Sequence, residues 1–147
     1  MPINAPKDCP LCFPEQETVL WHDASCRVIR VSDADYPGYC RLIWKDHVSE
    51  MSDLTPAEQR HCFNILMAVE VAVRECFRPD KINLASFGNV VPHLHWHVIP
   101  RYLDDLHYPQ PVWGQAQRKG RGSPAPEVDD ARLALAVRNA IAEQIAG

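Results

Sequence analysis

Short runs of apolar and β-branched residues in the first third of the chain predict three β-strands. These runs lie at residues 18–21, 26–31 and 39–44. Turn-forming residues follow the first two runs, as Asp23-Ala24-Ser25 and as Asp35-Tyr36-Pro37-Gly38. This pattern is typical of an antiparallel meander, in which each strand pairs with the next.

A long amphipathic helix is predicted from about residue 56 to residue 77. The sequence Thr55-Pro56-Ala57-Glu58 is a capping box with proline at the first helical position, which marks a helix start. Apolar side chains then recur at helical spacing and stop before Pro79. They are Cys62, Ile65, Leu66, Val69, Val73 and Cys76. We expect this helix to pack on one face of the sheet.

The rest of the pattern predicts two more strands and a second helix. The strands lie at residues 82–87 and 93–99, with a turn at Gly88-Asn89 between them. A polar, basic stretch at residues 114–126 predicts a mobile loop, and an apolar stripe over residues 127–145 predicts a C-terminal helix. The expected fold class is α+β, with an antiparallel sheet of about five strands, one long helix and a C-terminal helix.

Length and composition fit a single domain. The chain has 147 residues, of which 46% are hydrophobic and 23% charged, and this is enough to bury a core of its own. We expect one domain over residues 1–147, with its core at about residues 9–113. The basic loop and the C-terminal helix would complete it.

Net charge and targeting signals narrow the range of partners. The formal net charge of −4 argues against a general affinity for nucleic-acid backbones or anionic membranes, so we expect neither as a partner. The first residues lack the charged start and apolar core of a signal peptide, and the apolar runs are too short to span a membrane. A cytoplasmic location is therefore expected.

The six cysteines of the chain divide into two groups. Four are isolated among apolar neighbours, and we predict that they are core residues: Cys26, Cys40, Cys62 and Cys76. The other two form the pair Cys9-Pro10-Leu11-Cys12. Such a pair suits either a redox site or half of a zinc site, and the spacing alone does not decide between them.

Three of the seven histidines alternate with apolar residues in the fifth predicted strand, which Pro92 and Pro100 bracket. The period of two in His93-Leu94-His95-Trp96-His97 puts the imidazoles on one face of the sheet. The outer two Cα atoms would be about 13 Å apart, too far for all three rings to share one metal. The spacing instead favours a central imidazole nucleophile with neighbours that orient it and protonate the leaving group, and a phosphorus centre suits that chemistry.

The run from Gly88 to Ile99 resembles the signature of the histidine triad (HIT) superfamily of nucleotide hydrolases and transferases, His-φ-His-φ-His-φ-φ with φ apolar. The resemblance extends upstream through Pro37-Gly38, His47 and the helix start at Leu54-Thr55-Pro56, and covers about residues 9–101. It implies a HIT-like domain that forms a homodimer. It also implies hydrolysis or transfer at the α-phosphorus of a dinucleoside polyphosphate or a nucleoside phosphoramidate.

The resemblance implies a role for each histidine of the triad. His95 would attack the α-phosphorus and hold it as a nucleotidyl-histidine, and His97 would contact the phosphate and the leaving group. The backbone carbonyl of His93 would hold the far nitrogen of His95. Asn89 and, with a looser match in spacing, Asn83 are the implied substrate-binding residues. No cofactor is implied for the chemical step.

The resemblance also implies a structural zinc site. In several HIT-like proteins a cysteine pair joins a histidine after the third strand and the first histidine of the triad. The corresponding residues here are Cys9, Cys12, His47 and His93. Four protein ligands leave no open position on zinc, so the ion would pin the N-terminal segment to the catalytic strand rather than react.

Two features depart from the family or lie outside its signature. Val31 stands where many members carry an acidic or amide residue for the ribose hydroxyls. The segment from His107 to Trp113 resembles the tail of a bacterial branch of the family, and we expect it to have a structural role, just as we expect the 114–126 loop to be a solvated connection.

Two other functions stay open at this point. One is a metal-dependent hydrolase in which pairs of triad histidines hold a metal and bound water is the nucleophile. The other is a non-catalytic nucleotide-binding or zinc-stabilised interaction module. A covalent adduct on His95 would distinguish the nucleotidyl-histidine mechanism from both of these alternatives.

Overall fold

A five-stranded antiparallel sheet forms the centre of the computed structural model, which describes residues 5–147. The strands are β1 (Thr18–His22), β2 (Cys26–Arg30), β3 (Cys40–Trp44), β4 (Lys81–Ala85) and β5 (His95–Arg101). Their order across the sheet is β1-β2-β3-β5-β4. The predicted meander and the α+β class are confirmed. The histidine-bearing strand β5 lies inside the sheet, between β3 and β4.

Helix α1 (Pro56–Phe77) has the bounds that its sequence signals predict. The Thr55 hydroxyl accepts from the Glu58 backbone N–H at 3.2 Å, and the Glu58 carboxylate accepts from the Thr55 N–H at 2.9 Å. The helix ends at Phe77, and the left-handed conformation of the next residue, Arg78 (φ 45°), closes the last turn. The capping box therefore acts as the sequence indicates.

Helix α2 (Asp130–Ala146) begins three residues later than predicted. The Asp129 carboxylate accepts from the Arg132 N–H at 2.7 Å and so caps the helix at that position. Neither helix of the part that the structure describes is long and apolar enough to cross a membrane.

The main core lies between the two helices and one face of the sheet. Side chains such as Val28, Leu42 and Val98 point to this face and are at most 1% exposed. The four isolated cysteines belong to the same cluster, as predicted. Both helices cover the same face, so the opposite face of the sheet is left for other contacts.

The helix-free face is covered in two places. Near the N-terminus, Cys9 and Leu11 pack on Ile29 and Ile43. Further along the sheet, Tyr36, Tyr39 and Ile99 form a second apolar cluster, with Val31 packed against it. The side chains of Arg41 and His97, which pair across β3 and β5, lie between these two clusters.

Strand β5 begins and ends two residues later than the sequence predicts. Leu94 stays outside it because its N–H donates to the Val48 carbonyl at 2.7 Å and its carbonyl accepts from the Trp44 N–H at 3.1 Å. At the other end the strand continues through Pro100. Beyond Val98 it pairs with β4 alone, so no strand on the β3 side needs the N–H that proline lacks.

A buried ion pair anchors the chain that follows β5. The Arg101 guanidinium donates to the Asp105 carboxylate through Nε at 2.7 Å and Nη2 at 3.0 Å. Although burial would raise the pKa of Asp105, hydrogen bonds from Arg101 and from backbone N–H groups hold it at about 2. The predicted loop folds back on this anchor, since the Gln117 N–H donates to the Leu106 carbonyl at 2.8 Å.

Candidate active site

All three triad histidines are buried, but they face two different environments. His95 and His97 are 9% and 5% exposed and line a cavity of about 1010 Å³ on the helix-free face. His93 is 0% exposed, lies just before β5, and turns its ring toward the N-terminal cysteines. The structure thus brings His95 and His97 together and assigns His93 to a neighbouring cluster.

The ring of His95 is held by the backbone of His93. Its Nδ1 lies 2.6 Å from the His93 carbonyl oxygen. A carbonyl only accepts, so Nδ1 carries the ring proton and the lone pair is on Nε2. Burial lowers the pKa of His95, the hydrogen bond to the carbonyl opposes this, and nearby Arg41 lowers it further. The result is a neutral imidazole with one free nitrogen.

The ring of His97 is held by the hydroxyl of Tyr39, which lies 2.6 Å from Nδ1. Burial raises the pKa of Tyr39, so the hydroxyl stays protonated. It donates to Nδ1, because the other polar group beside it, the Arg41 guanidinium, has no acceptor. Burial, with His95 and Arg41, lowers the pKa of His97 to about 3. His97 is therefore a neutral ring whose Nε2 carries the proton.

Aromatic side chains border the cavity on the β4 side. The Trp113 ring lies 4.9 Å from the His97 ring and 4.8 Å from the Phe87 ring, both measured between centroids. Phe87 and Trp113 are 55% and 49% exposed. β4 ends at Ala85 rather than at residue 87, which lets Phe87 leave the sheet. The segment from His107 to Trp113, for which the sequence predicts a structural role, thus also reaches the cavity.

The two asparagines occupy different positions. Asn89 lines the cavity, next to Gly88, whose φ of 72° makes the predicted turn. Asn83 lies on β4, where its Oδ1 accepts from Arg101 at 2.7 Å, and it is not among the residues that line the cavity. A substrate-binding role for either residue stays a prediction.

Sequence reasoning missed Arg41, Tyr39, Phe87 and Trp113, all of which surround His97. For Arg41 there was a usable signal: it is the one charged residue in the strand Cys40-Arg41-Leu42-Ile43-Trp44. Because side chains alternate along a strand, it had to face away from Cys40 and Leu42. The strand register then places it directly opposite His97.

The residues predicted to bind zinc form a compact cluster. Their ligand atoms all lie within 4.8 Å of one another. The His93 Nδ1 is 3.5 Å from Cys9 Sγ, 3.3 Å from Cys12 Sγ and 3.2 Å from His47 Nδ1, and the Cys12 Sγ is 3.4 Å from His47 Nδ1. Zinc bonds of about 2.3 Å to sulfur and 2.0 Å to nitrogen put tetrahedral ligands about 3.3–3.8 Å apart. The cluster therefore fits this ion.

A further hydrogen bond sets the tautomer of His93. Its Nε2 lies 2.6 Å from the Trp44 carbonyl oxygen, so Nε2 carries the ring proton and Nδ1 is free. This is the arrangement of a metal-ligating histidine whose other nitrogen donates to a carbonyl. The cluster of Cys9, Cys12, His47 and His93 can thus hold a metal.

Comparison with models of protein families identifies the family of the chain. The model of the HIT domain matches residues 14–104, more than half of the chain. The chain belongs to the HIT family. The matched segment contains the whole triad and His47, whereas Cys9 and Cys12 precede it. The resemblance found in the sequence is confirmed.

Solved structures of HIT proteins share this fold. A histidine triad protein from Bradyrhizobium japonicum superposes with a TM-score of 0.68 at 30% identity, covering 86% of this chain and 92% of that protein. One from Marinobacter aquaeolei gives 0.67 at 27% identity, with 86% and 90% covered. The HIT-like fold is therefore confirmed as well.

Two curated relatives are named as dinucleoside polyphosphate hydrolases. The bis(5'-adenosyl)-triphosphatase of Saccharomyces cerevisiae is 35% identical over 72 residues, which is 45% of this chain and 35% of the relative. The asymmetrical bis(5'-nucleosyl)-tetraphosphatase of Schizosaccharomyces pombe is 28% identical over 87 residues, which is 56% of this chain and 48% of the relative. The chain thus matches less than half of the length of each.

Proposed function

We propose that this HIT protein is a nucleotidyl hydrolase or transferase that acts on the α-phosphorus of a nucleotide through a covalent nucleotidyl-His95 intermediate. The observation that supports this most directly is the 2.6 Å contact between His95 Nδ1 and the His93 carbonyl. It leaves Nε2 of a buried, neutral ring as the nucleophile. The names of the two curated relatives point to the same class of reaction.

The first step forms a bond from His95 Nε2 to phosphorus and breaks the bond from phosphorus to the leaving group. The His97 Nε2–H and the Asn89 amide donate hydrogen bonds to phosphate oxygens as charge develops there. In the second step water attacks phosphorus, the N–P bond breaks, and a nucleoside monophosphate leaves. The proton of that water passes to solvent, and His95 returns to its neutral form.

Among the two substrate classes, we favour the dinucleoside polyphosphate. Its leaving group departs as a phosphate anion and needs no proton. The amine of a phosphoramidate must be protonated, whereas both curated relatives are named for dinucleoside polyphosphates. The bridging atom of the preferred substrate is therefore oxygen.

The test is intact-mass analysis of the protein after brief mixing with diadenosine triphosphate and quenching. We expect a species heavier by one adenylyl group in the wild-type protein and none in His95→Ala. A metal-bound water as nucleophile would give turnover without this adduct. Full turnover by His95→Ala would contradict the mechanism, and wild-type binding without turnover would point to the non-catalytic module.

We infer that Cys9, Cys12, His47 and His93 hold a structural zinc ion. The ion would supply a rigid link between the N-terminal segment and the residue that orients His95. We expect about one zinc per chain by elemental analysis in the wild-type protein and in Cys76→Ala, a core cysteine outside the cluster. Cys12→Ser should lose the metal. Wild-type protein purified without chelators and free of zinc would contradict this.

We also propose that the protein is a homodimer, as the resemblance implies. Exposed apolar side chains on α1, Phe63 at 45% and Val71 at 48%, are consistent with a partner. Light scattering on the eluting protein should give twice the mass of one 16.7 kDa chain. The single domain and the cytoplasmic location stay predictions.

A further inference from the structure

Arg41 differs from the other arginines of the sheet because it has no carboxylate partner. Arg27 bonds to Glu17, Arg30 to Asp130 and Arg101 to Asp105, at 2.7–2.9 Å. Within residues 5–147 no ion pair involves Arg41. Its Nε is buried and has no hydrogen-bond partner there.

This guanidinium, which has no carboxylate partner, lies in the cavity that His95 and His97 line. A buried donor without an acceptor destabilises the fold, and an uncompensated charge does so more strongly. Such a group is therefore a candidate for ligand binding, and its five donors match the oxygens of a phosphate. An anion in the cavity would satisfy it.

The position of the guanidinium indicates which phosphate of a substrate it would bind. Arg41 is paired with His97, whereas the residue opposite the nucleophile His95 is Ile43. The guanidinium carbon lies 5.5 Å from the centre of the Tyr39 ring, so the side chain leans along β3 away from Ile43. It therefore lies toward the Tyr39 side of His97, away from the nucleophile His95, and its charge acts on both rings.

We propose that Arg41 binds a second phosphate of the substrate, one bond or more along the chain from the phosphate that His95 attacks. This rests on the proposed function and sharpens it. It makes a polyphosphate chain a recognised feature of the substrate. A nucleotide with a single phosphate leaves the guanidinium unpaired.

The experiment compares two probes that differ by one phosphate and are not consumed. They are AMP and adenosine 5'-(α,β-methylene)diphosphate, with binding measured by titration calorimetry on the full chain. The variants are Arg41→Met, which removes the charge, and Arg41→Lys, which keeps it. The matched control is Arg60→Met, which removes one charge at an exposed position of α1. Thermal unfolding of each variant confirms that it folds.

We expect the wild-type protein to bind the diphosphate analogue more tightly than AMP. Arg41→Met should lose about 10- to 100-fold in affinity for the analogue, the range for one charge-assisted hydrogen bond, and less than about threefold for AMP. The affinity of Arg41→Lys for the analogue should lie between those of the wild type and Arg41→Met. The affinity of Arg60→Met should match that of the wild type.

Two results would overturn the proposal. Equal losses for both probes would assign Arg41 to the reacting phosphate, and unchanged affinity for the analogue would show that Arg41 contacts no phosphate. Wild-type protein that binds neither probe would overturn it as well. Failure of the proposed function is read separately, as absence of diadenosine triphosphate hydrolysis by the wild-type protein, while the binding comparison still decides the role of Arg41.

Discussion

His93 contacts three different parts of the molecule through its two ring nitrogens and its backbone carbonyl. Nδ1 faces Cys9 and Cys12, Nε2 donates to the Trp44 carbonyl, and the backbone carbonyl accepts from His95. None of these contacts competes with another for the same atom. A displacement of the N-terminal segment would therefore shift His93 and, through its carbonyl, the nucleophile His95.

At the same scale, Tyr39 sets the tautomer of His97, and its loss should slow the reaction. Tyr39→Phe removes the donor to Nδ1, so the ring is free to place its proton there and to lose the Nε2–H that faces the phosphate. We expect kcat for diadenosine triphosphate to fall by about tenfold or more, with KM little changed.

The matched control is Tyr102→Phe, whose hydroxyl donates to the Phe77 carbonyl away from the cavity. It should leave kcat within about twofold of the wild type, since it removes an ordinary hydrogen bond outside the site. Equal effects of the two substitutions would show that Tyr39 acts on stability only.

The sequence could predict residues whose roles depend on local spacing. The triad and the cysteine pair are recognisable as motifs, and His47 follows from their family context. Alternation along β3 could place Arg41 on the helix-free face, but its position opposite His97 depends on the pairing of β3 with β5, and that of Trp113 depends on the path of a distant loop. Such contacts are set by tertiary structure.

At the scale of elements, boundaries were predictable where the stop signal is local. α1 begins at its capping box and ends before Pro79, whereas α2 begins after Asp129, a cap that the sequence pattern does not distinguish from its polar neighbours. The start of β5 depends on two hydrogen bonds of Leu94, one accepted from Trp44 and one donated to Val48, and both partners lie about fifty residues earlier in the chain. Alternation alone does not contain that information.

The turn between β2 and β3 packs closely against the end of α1, and Gly38 makes this approach possible. A Cβ at Gly38 would lie 2.8 Å from Phe77 Cδ2 and 2.8 Å from Pro100 Cγ. We expect Gly38→Ala to lower the free energy of unfolding by about 1–3 kcal/mol through overpacking, as measured by urea denaturation.

Gly120→Ala is the control for this substitution, because a Cβ at Gly120 has no atom within 4 Å. It should change the free energy of unfolding by no more than about 0.5 kcal/mol. A Gly38→Ala protein as stable as this control would mean that the turn can move away from α1.

At the scale of the whole molecule, the buried histidines make stability depend on pH. The pKa of His97 is about 3 in the folded protein, below the ordinary 6.5 that it regains on unfolding. Between these values the unfolded chain binds a proton that the folded chain does not, so stability falls as the pH drops from 6.5 toward 3. The lowered pKa of His95 acts in the same direction.

As the pH falls from 7 to 5, the proton that His97 binds only in the unfolded chain should lower the free energy of unfolding by about 2 kcal/mol. Urea denaturation at both pH values should show this decrease in the wild-type protein. His97→Gln should reduce the decrease by that amount, and His22→Gln, at an exposed position, should not. The same pH dependence in the wild type and His97→Gln would mean that His97 titrates normally in the folded state.

Trp113 gives the molecule a built-in optical reporter. Of the four tryptophans in the sequence, Trp44 is buried, and Trp21 and Trp96 pack against the helix-side core. Trp113 is half exposed and touches His97 at the cavity. A molecule that enters the cavity displaces water from this indole, so its emission shifts to shorter wavelength. Occupancy can then be followed in unlabelled protein, separately from chemistry.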